Sequence, residues 1–523
     1  MASSPAQEMT ALPLTTFVSA CSTLPPNSRA MAIRERLRAD PLLFAHVCWP
    51  EEMETASAPY QAQIMRPPQN DLREAITTFR GGAKTSLAQK RLAHGLAFRK
   101  PWARFGLYIS ASKDLATEKL DNIRDSLECD AVRRLFGEPF PRGHHASDEL
   151  LTNWGQRVIA LGVGAKFRGF LWHGSRPTFA ILDDIEAGRE ETSAADRQKA
   201  IVWYQRKLSY AMAPGGVIIA IGNKVHDDGL MAFLLKNPRW QRLIVPAVNR
   251  WPDRADLWEE CRRIFCRLED ENRGDRARTF FGLNRTAMTA GGDLTWPARL
   301  DWLTDIYVPR WSDGEGAFLA EMQCDSTRTG IGCIRPDALC WEEWRAATLV
   351  GDDGWKVTRL DMRTLGFLDP AGGTGGGDYS AIACIGVDQV GYKHVLDASL
   401  SRDREPSRQV SDWWDMAERW GWTWGGVESD QYKAIERALR EEQDRRRQAG
   451  RHWQTTILPI TQREKKERRL AGLEPPISNK WLRFVRGLPE QLMTQLYAVP
   501  NGSHDDGPDA LEGALQVARK VGI

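Results

Sequence analysis

The sequence lacks long apolar runs, paired cysteine motifs and an excess of charge of either sign. No window approaches the roughly 20 apolar residues that a membrane-spanning helix requires, so we expect no membrane association. Nine cysteines occur without a C-x-x-C pair, which disfavours a zinc site and a disulfide framework. The 71 Lys and Arg residues nearly balance 69 Asp and Glu residues, giving a net charge of +2. Any nucleic-acid partner must therefore be bound by local basic patches.

What is present is the composition of a folded protein with sizeable cores. Hydrophobic residues make up 42% of the chain and charged residues 27%, as in ordinary globular domains. The 523 residues exceed what a single hydrophobic core usually serves, so we expect two folded domains. Residues 1–28 are rich in Ser, Thr, Ala and Pro, and we predict that they form a flexible N-terminal arm.

A stretch of small and polar residues, 77–86, follows a predicted strand and opens a predicted helix. Small residues let backbone N–H groups surround an anion, Lys84 can reach the β and γ phosphates, and Thr85 can bind Mg²⁺. Thr78 and Ala83 replace the two glycines of the strict pattern G-x-x-x-x-G-K-[ST], so spacing alone also allows an ordinary turn with a solvated lysine. The residues assigned to nucleotide binding are Arg80, Gly81, Gly82, Ala83, Lys84, Thr85 and Ser86.

A second segment, about a hundred residues downstream, is an apolar strand that ends in acids. Residues 179–182 are apolar or small and precede Asp183, Asp184 and Glu186. The carboxyl ends of buried parallel strands are where nucleotide sites lie in α/β proteins. We expect Asp183 to help hold the Mg²⁺ ion and its ligands in place. We expect either Asp184 or Glu186 to orient or deprotonate the attacking water. The two segments together predict an ATPase.

Four acids in the C-terminal part of the chain occupy strand ends and a helix start. Asp369 ends the first strand of a predicted hairpin, and Glu428 ends a later strand. Asp506 and Asp509 are three residues apart and so share one face of a predicted helix. Bringing these anions together requires cations, and two divalent ions about 4 Å apart can activate water on a phosphodiester. We predict Asp369, Glu428 and Asp506 as metal ligands, with Asp509 as a fourth or alternate.

These segments together resemble the large subunit of tailed-bacteriophage terminases, over about residues 40–515. The resemblance rests on the glycine-poor, arginine-containing loop Arg80–Thr85, on Gly162–Gly169, on Gly222–Asp228 and on the C-terminal acids. It implies an α/β fold, namely a P-loop NTPase domain with a mostly parallel sheet followed by an RNase H-like α/β nuclease domain. The implied ranges are a packaging-motor ATPase at 29–330, a linker at 331–360 and a nuclease at 361–523.

The resemblance implies roles for further residues. Tyr60 and Gln61 occupy the position that lies beside the adenine base in the family and are candidates for base contact, although a plain surface helix explains them equally well. Asn223 stands where the family commonly has the threonine of a motif that senses the γ-phosphate, and an amide can also bond a phosphate. Arg80 or Arg168 is a candidate for the cation that acts on the developing charge, although a neighbouring subunit can also supply one.

Two basic runs and a group of tryptophans have alternative interpretations. Residues 445–447 with Arg451, and residues 463–469, are candidates for contact with the DNA backbone, but such runs are more often solvated helix faces. Asp378 and Asp505 are expected to lie next to the metal ligands without binding the metal ions directly. The tryptophans could stack on bases, but their spacing favours a packed core; they are at positions 413, 414, 420, 422 and 424.

The resemblance implies a motor that uses ATP and Mg²⁺ to move double-stranded DNA into a procapsid. It also implies an endonuclease with two Mg²⁺ or Mn²⁺ ions that cuts concatemeric DNA. The expected partners are double-stranded DNA, the portal protein and a small terminase subunit that supplies sequence targeting. We expect a monomer in solution, a homo-oligomeric ring on the procapsid, and a location in the host-cell cytoplasm during virus assembly.

Two other functions are alternatives to this one. A helicase-nuclease of DNA repair should show further helicase motifs in a second motor domain, and the sequence shows a single motor domain before the nuclease. A structural capsid or portal component with decayed sites is disfavoured because acids stand at all the expected positions.

Overall fold

The computed structural model describes residues 26–523 with short gaps. The gaps are 143–145, 167–168, 187–193, 225–227, 326–333, 371–378, 403–404, 463, 465, 500–501 and 503, and for residues 26–27, 429–434, 436 and 467 only the backbone is described. No helix within the described part is long and apolar enough to cross a bilayer. The chain divides into two compact units. Unit 1 runs to Trp251 and includes Gly292–Asp301 and Leu319–Ser326; unit 2 comprises Pro252–Gly291, Trp302–Phe318 and the chain from Thr327 onward.

Unit 1 consists of a large sheet, a small two-stranded ladder and helices. The strands are β1 (Arg73–Thr78), β2 (Phe105–Ser110), β3 (Glu149–Leu151), β4 (Arg157–Gly162), β5 (Phe179–Asp183), β6 (Val217–Ile221), β7 (Gln241–Val245), β8 (Val248–Arg250) and β9 (Asp293–Leu294). The helices are α1 (Pro26–Ala39), α2 (Pro41–Cys48), α3 (Pro59–Met65), α4 (Lys84–Ala97), α5 (Lys113–Glu128), α6 (Asp130–Phe136), α7 (Ala194–Trp203), α8 (Ser209–Ala211) and α9 (Leu230–Lys236). Shorter turns are 3₁₀ at Glu51–Met53 and Pro101–Ala103, and π-helical at Tyr204–Leu208.

The sheet of unit 1 is almost wholly parallel. Its strand order is β3-β4-β2-β5-β6-β1-β7, and of these pairs β3 with β4 is antiparallel. β5 and β6 are buried along their whole length, as expected for strands covered on both faces. The carboxyl ends of β1, β5 and β6 lie at one edge, which brings the phosphate loop and Asp183 to the same side. The predicted α/β fold with a mostly parallel sheet is confirmed.

Element boundaries in unit 1 follow the sequence closely. The apolar run 105–110 predicts a strand, which β2 spans, and the amphipathic pattern of Lys113–Leu127 predicts a helix, which α5 extends by one residue. The sequence also predicts a helix from Ser86, and α4 begins two residues earlier, at Lys84. The earlier start arises because Ala83, with a φ of 58°, turns the chain in the left-handed region immediately before the helix.

Unit 2 contains a nine-stranded mixed sheet and helices. The strands are β10 (Trp341–Arg345), β11 (Thr348–Gly351), β12 (Lys356–Thr358), β13 (Met362–Asp369), β14 (Ser380–Asp388), β15 (Lys393–Ser401), β16 (Trp424–Glu428), β17 (Thr456–Ile460) and β18 (Leu482–Val485). The helices are α10 (Ala255–Phe265), α11 (Arg273–Thr289), α12 (Val308–Ser312), α13 (Glu315–Met322, which continues into unit 1), α14 (Pro406–Trp420), α15 (Ser429–Gln448), α16 (Lys466–Ala471), α17 (Glu474–Ser478), α18 (Glu490–Ala498) and α19 (Asp506–Val521). Shorter turns are π-helical at Trp302–Tyr307 and 3₁₀ at Pro336–Ala338 and Arg359–Asp361.

The centre of this sheet has the arrangement of an RNase H-like fold. β13, β14 and β15 pair antiparallel in sequence order, and β16 and β17 add in parallel on the other side of β13. α19 packs on β13 at Gly513, where a Cβ atom would come within 2.4 Å of the Phe367 ring. The predicted hairpin, the strand that ends at Glu428 and the late helix are all confirmed.

The tryptophans of unit 2 form a core. Trp413, Trp414 and Trp422 are fully buried. Two strand glycines make room for them, because a Cβ at Gly366 would lie 2.1 Å from Trp422 and one at Gly425 would lie 2.1 Å from Trp413. The interpretation as core residues is confirmed for these three, which are not available to stack on bases, whereas Trp420 and Trp424 are partly buried and pack against the cores.

The segment 331–360, which the sequence predicted to be a linker, contains strands. β10 pairs in parallel with β18, and β11 and β12 extend the sheet beyond it. The glycine-rich stretch 351–354 is the turn between β11 and β12. Residues 252–291 and 302–318 belong to unit 2, although the predicted motor range included them. The compact units thus divide the chain differently from the predicted ranges, which stay a prediction.

Candidate active sites

The predicted phosphate loop connects β1 to α4 and has a constrained backbone. Gly81 has a φ of 81°. At Gly82 a Cβ atom would lie 2.6 Å from Thr78 Oγ1 and 2.9 Å from the Phe79 carbonyl oxygen, so any larger residue would displace the loop. The Tyr60 hydroxyl donates to the Gly82 carbonyl at 2.9 Å. The loop therefore has a fixed shape next to the N-terminus of α4, where an anion is favoured.

Thr85 and Asp183, which are 98 residues apart, are joined at the end of this loop. Thr85 Oγ1 donates to Asp183 Oδ1 at 3.0 Å, and Lys84 is the first residue of the same helix. The Asp183 carboxylate is fully buried. Burial, and then the charge of Asp184, raise the pKa of Asp183 to about 6. A hydroxyl and a carboxylate are oxygen ligands of the kind that Mg²⁺ prefers, so the residues present fit this ion.

The two candidates for the water-activating acid have different surroundings. Asp184 has a φ of 46°, and its backbone N–H donates to the Ile221 carbonyl at the end of β6. Glu186 instead accepts a hydrogen bond from the Leu230 backbone N–H at 2.6 Å, which places it at the start of α9. Burial raises the pKa of Glu186. Because Glu186 caps a helix, Asp184 is the better candidate for the base.

Arg80 and Asn223 both contact one carboxylate that the sequence did not single out. Asn223 Nδ2 donates to Glu321 Oε2 at 3.0 Å, and Arg80 Nη1 lies 3.7 Å from the same oxygen. The Arg80 backbone N–H also donates to the Glu321 carbonyl at 2.8 Å. Glu321 thus connects the candidate cation of the phosphate loop to the candidate γ-phosphate sensor.

A cavity of about 110 Å³ opens beside the phosphate loop. Its lining residues are Glu52, Met53, Thr55, Gln61, Ala83, Ser86, Leu87, Lys90 and Trp296. Gln61 lines this cavity, and its Oε1 accepts from the Ala58 backbone N–H at 3.1 Å. Tyr60 is not part of the lining, but it packs edge-on against Phe79 and Trp296. The position next to the loop suits the base or ribose of a nucleotide.

Two residues of this region come from the distant segment Gly292–Asp301. Trp296 closes one side of the cavity and donates from Nε1 to the Ala56 carbonyl at 2.7 Å. Arg299 Nε donates to the Gly81 carbonyl at 3.3 Å. Sequence reasoning missed both residues because more than two hundred residues separate Arg299 from the loop, and no local pattern marks a contact of that range.

In unit 2, two of the predicted metal ligands are neighbours at one edge of the sheet. Leu368 pairs with Val427 in the parallel ladder of β13 and β16. Asp369 follows Leu368 at the end of β13, and Glu428 follows Val427 at the end of β16, so the two acids end adjacent strands. Asp506 is the first residue of α19, and its Oδ2 accepts from the Tyr379 backbone N–H at 3.3 Å.

The electrostatics show that these acids share one environment. Burial raises the pKa of Asp369 well above its ordinary value; the charges of Asp509, Glu428 and Asp506 raise it further, and the charge of Lys466 opposes them. Burial also raises the pKa of Asp506. The described residues contain no group of three or more acidic, His or Cys side chains already set in metal-binding geometry. Carboxylates that destabilise one another's charge fit divalent cations, which would neutralise them.

Asp509 and Asp505 are held by cations from α16. Lys466 Nζ lies 2.7 Å from Asp505 Oδ1 and 3.2 Å from Asp509 Oδ2. Arg469 Nη1 donates to Asp509 at 2.6 Å and to Glu512 at 2.9 Å. Asp509 is therefore engaged in ion pairs, and Asp506 is the better candidate for the third metal ligand.

The basic runs are largely engaged within unit 2. Arg446 is buried and bonds to Glu442, Asp415 and the Ser411 carbonyl. It joins α14 to α15, and its guanidinium is already surrounded by these partners, which disfavours the candidate contact with the DNA backbone at this residue. Arg451 likewise pairs with Asp415. Several positions with a predicted role lie outside the described part of the chain, namely residues 1–25 of the N-terminal arm, Arg168, Asp378, Arg463 and Lys465.

Comparison with known proteins gave similar structures without similar sequences. No protein-family model and no curated protein matches the chain. The HK97 bacteriophage large terminase has 13% identity and a TM-score of 0.29, covering 88% of this chain and 95% of its own.

Two further similar structures cover parts of the chain. The large terminase nuclease of thermophilic phage G20c has 15% identity and a TM-score of 0.25, covering 34% of this chain and 94% of its own. An ATPase-domain variant of the Thermus phage P74-26 large terminase has 14% identity and a TM-score of 0.23, covering 48% and 97%. The chain is thus similar to a large terminase over most of its length, and to a terminase nuclease and a terminase ATPase domain over parts of it.

Proposed function

We propose that this chain is a terminase large subunit, in which unit 1 hydrolyses ATP to move double-stranded DNA into a procapsid and unit 2 cuts that DNA. The observation that carries the ATPase assignment is the hydrogen bond between Thr85 and Asp183, because it joins the phosphate loop to the acidic end of a buried strand. The nuclease assignment rests on the adjacent positions of Asp369 and Glu428.

In unit 1 each residue has a distinct proposed role. The loop N–H groups and Lys84 bind the phosphates, and Thr85 and Asp183 would hold Mg²⁺. When bound, this ion neutralises charge on the phosphates. Asp184 orients the attacking water. Arg80 acts on the developing negative charge.

In unit 2 the acids act as a group. Asp369, Glu428 and Asp506 would hold two Mg²⁺ or Mn²⁺ ions, which when bound activate water and stabilise the leaving oxygen. Lys466 neutralises Asp505 and Asp509 beside them. We infer that DNA cutting by unit 2 is only weakly sequence-specific. We also infer that the working motor binds a portal protein and a small terminase subunit, and that it assembles into a ring on the procapsid.

Paired substitutions test whether the chain has two separable sites. Lys84→Ala is expected to abolish ATP hydrolysis and leave DNA cutting intact, because Lys84 lies in unit 1 alone. Asp369→Ala is expected to abolish cutting and leave hydrolysis intact. The matched control for Lys84→Ala is Lys199→Ala, at an exposed lysine of unit 1. The matched control for Asp369→Ala is Asp361→Ala, because Asp361 immediately precedes the first residue of β13 whereas Asp369 is its last. Loss of both activities in either test variant, with the thermal unfolding midpoint unchanged, would contradict the proposal.

A further inference from the structure

A tyrosine that the sequence did not single out lies inside the sheet of unit 1. Tyr108 is in the middle of β2, between Leu107 and Ile109, and all three are fully buried. A phenol hydroxyl in such a core needs a partner. It donates to Asp183 Oδ2 at 2.7 Å. An apolar ring would fill the same space, so the hydroxyl itself requires an explanation.

The carboxylate that Tyr108 contacts is bonded at both of its oxygens. Oδ2 of Asp183 accepts from Tyr108, and Oδ1 accepts from the Thr85 hydroxyl. Two donors on opposite oxygens fix the rotation of the carboxylate about its last side-chain bond. Because the Thr85 proton then points to Asp183, the lone pairs of its oxygen remain for a cation.

We propose that Tyr108 is a positioning residue for the magnesium site: its hydroxyl holds Asp183 in the orientation that aims Thr85 at the ion. This inference rests on the proposed ATPase function and assigns a residue to it. Without the hydroxyl, Asp183 Oδ2 is left buried without that donor, and the carboxylate can turn away from Thr85. The Mg²⁺-dependent part of nucleotide binding should weaken, whereas binding without the metal should not.

The test measures binding rather than turnover. The dissociation constant of the full chain for a fluorescent, non-hydrolysable ATP analogue is determined in excess Mg²⁺ and in EDTA. The readout is the ratio of the dissociation constant in EDTA to that in Mg²⁺, which measures how much the metal strengthens binding. Tyr108→Phe is expected to reduce this ratio about tenfold, the loss typical of one hydrogen bond to a charged group. The value in EDTA should stay that of the unsubstituted chain.

Tyr204→Phe is the matched control. Tyr204 is also a buried tyrosine of unit 1, and its oxygen accepts from Trp240 Nε1 at 3.1 Å, away from the loop. It should lower the thermal unfolding midpoint about as much as Tyr108→Phe while leaving the ratio unchanged. An unchanged ratio in Tyr108→Phe, or an equal fall in both variants, overturns the inference.

A double substitution separates positioning from a general loss of order. In a Thr85→Ala chain one target of the orientation is gone, so adding Tyr108→Phe should change the ratio less than it does when Thr85 is present. Independent, additive effects would overturn the inference. If the unsubstituted chain binds no nucleotide with or without Mg²⁺, the proposed ATPase function itself is wrong.

Discussion

At the scale of single residues, neighbouring acids of the same loop have different surroundings and therefore different expected roles. Asp183 is buried between Thr85 and Tyr108, and Glu186 bonds to the first backbone N–H of α9. Asp184 lies between them, next to Gly222 at the end of β6. Asp183 is therefore the proposed metal ligand, Glu186 caps a helix, and Asp184 remains as the candidate that orients water.

Substituting Asp184 and Glu186, the two candidates for the acid that activates water, shows which one is the base and which one caps a helix. Asp184→Asn should reduce ATP turnover by a factor of about 10² to 10⁴, the usual contribution of a general base, without weakening nucleotide binding. Glu186→Ala should lower the free energy of unfolding by about 1 kcal/mol, the typical cost of losing a cap. Steady-state hydrolysis and thermal denaturation measure the two effects. A Glu186→Ala chain with normal stability and a turnover as low as that of Asp184→Asn would reverse the assignment.

At the scale of elements, a buried charged group joins strands of unit 2. His394 on β15 bonds through Nδ1 to Glu342 on β10 at 2.7 Å, and its Nε2 lies 3.5 Å from Asp388. Arg483 on β18 lies 3.7 Å from Glu342 and 3.0 Å from Asp353. Burial alone would lower the pKa of His394, but the hydrogen bonds with Asp388 and Glu342 outweigh it and raise the pKa.

This group predicts a pH dependence of stability. Because the pKa of folded His394 is raised, its contribution is complete below the ordinary value of 6.5 and is lost as the pH rises through the folded value. The folded pKa of Asp388 is lowered, so its contribution is present above 3.8 and is lost as the pH falls. Thermal unfolding of unit 2 should therefore occur at the highest temperature between about pH 4 and 6.5. His394→Asn should remove the decline on the alkaline side; an identical decline in both chains would contradict this account.

Strands that carry a continuous apolar run in their own sequence were predictable. Strands that depend on pairing with a segment far away in the chain were not. β2, β5 and β6 carry apolar runs that predict buried strands, and the structure has them at those positions. β10 and β11 escaped prediction because their apolar residues are sparse and β10 pairs with β18, more than 130 residues later. The same reason applies within the site: Thr85 and Asp183 carry local motifs, whereas Tyr108, Trp296, Arg299 and Glu321 gain their positions from tertiary contacts alone.

At the scale of the whole molecule, charge is nearly balanced and much of it is paired. The net charge of +2 gives no general attraction for DNA. Arg446, Arg469 and Arg483 are buried among acids. Contact with a nucleic acid would therefore fall to exposed basic side chains near the acidic edge of unit 2, and in the proposed function the activity of each unit would depend on a few oxygen ligands rather than on overall charge.

The central claim is that acids distant in the sequence form two separate sites that bind divalent metal ions. Crystals of the full chain soaked with Mn²⁺ and a non-hydrolysable ATP analogue, measured by anomalous diffraction, test it most directly. We expect manganese about 2.1 Å from oxygens of Asp369, Glu428 and Asp506, and a further ion at Thr85 beside the analogue's phosphates. Manganese absent from both places, or Asp369, Glu428 and Asp506 separated by more than about 10 Å, would contradict the account.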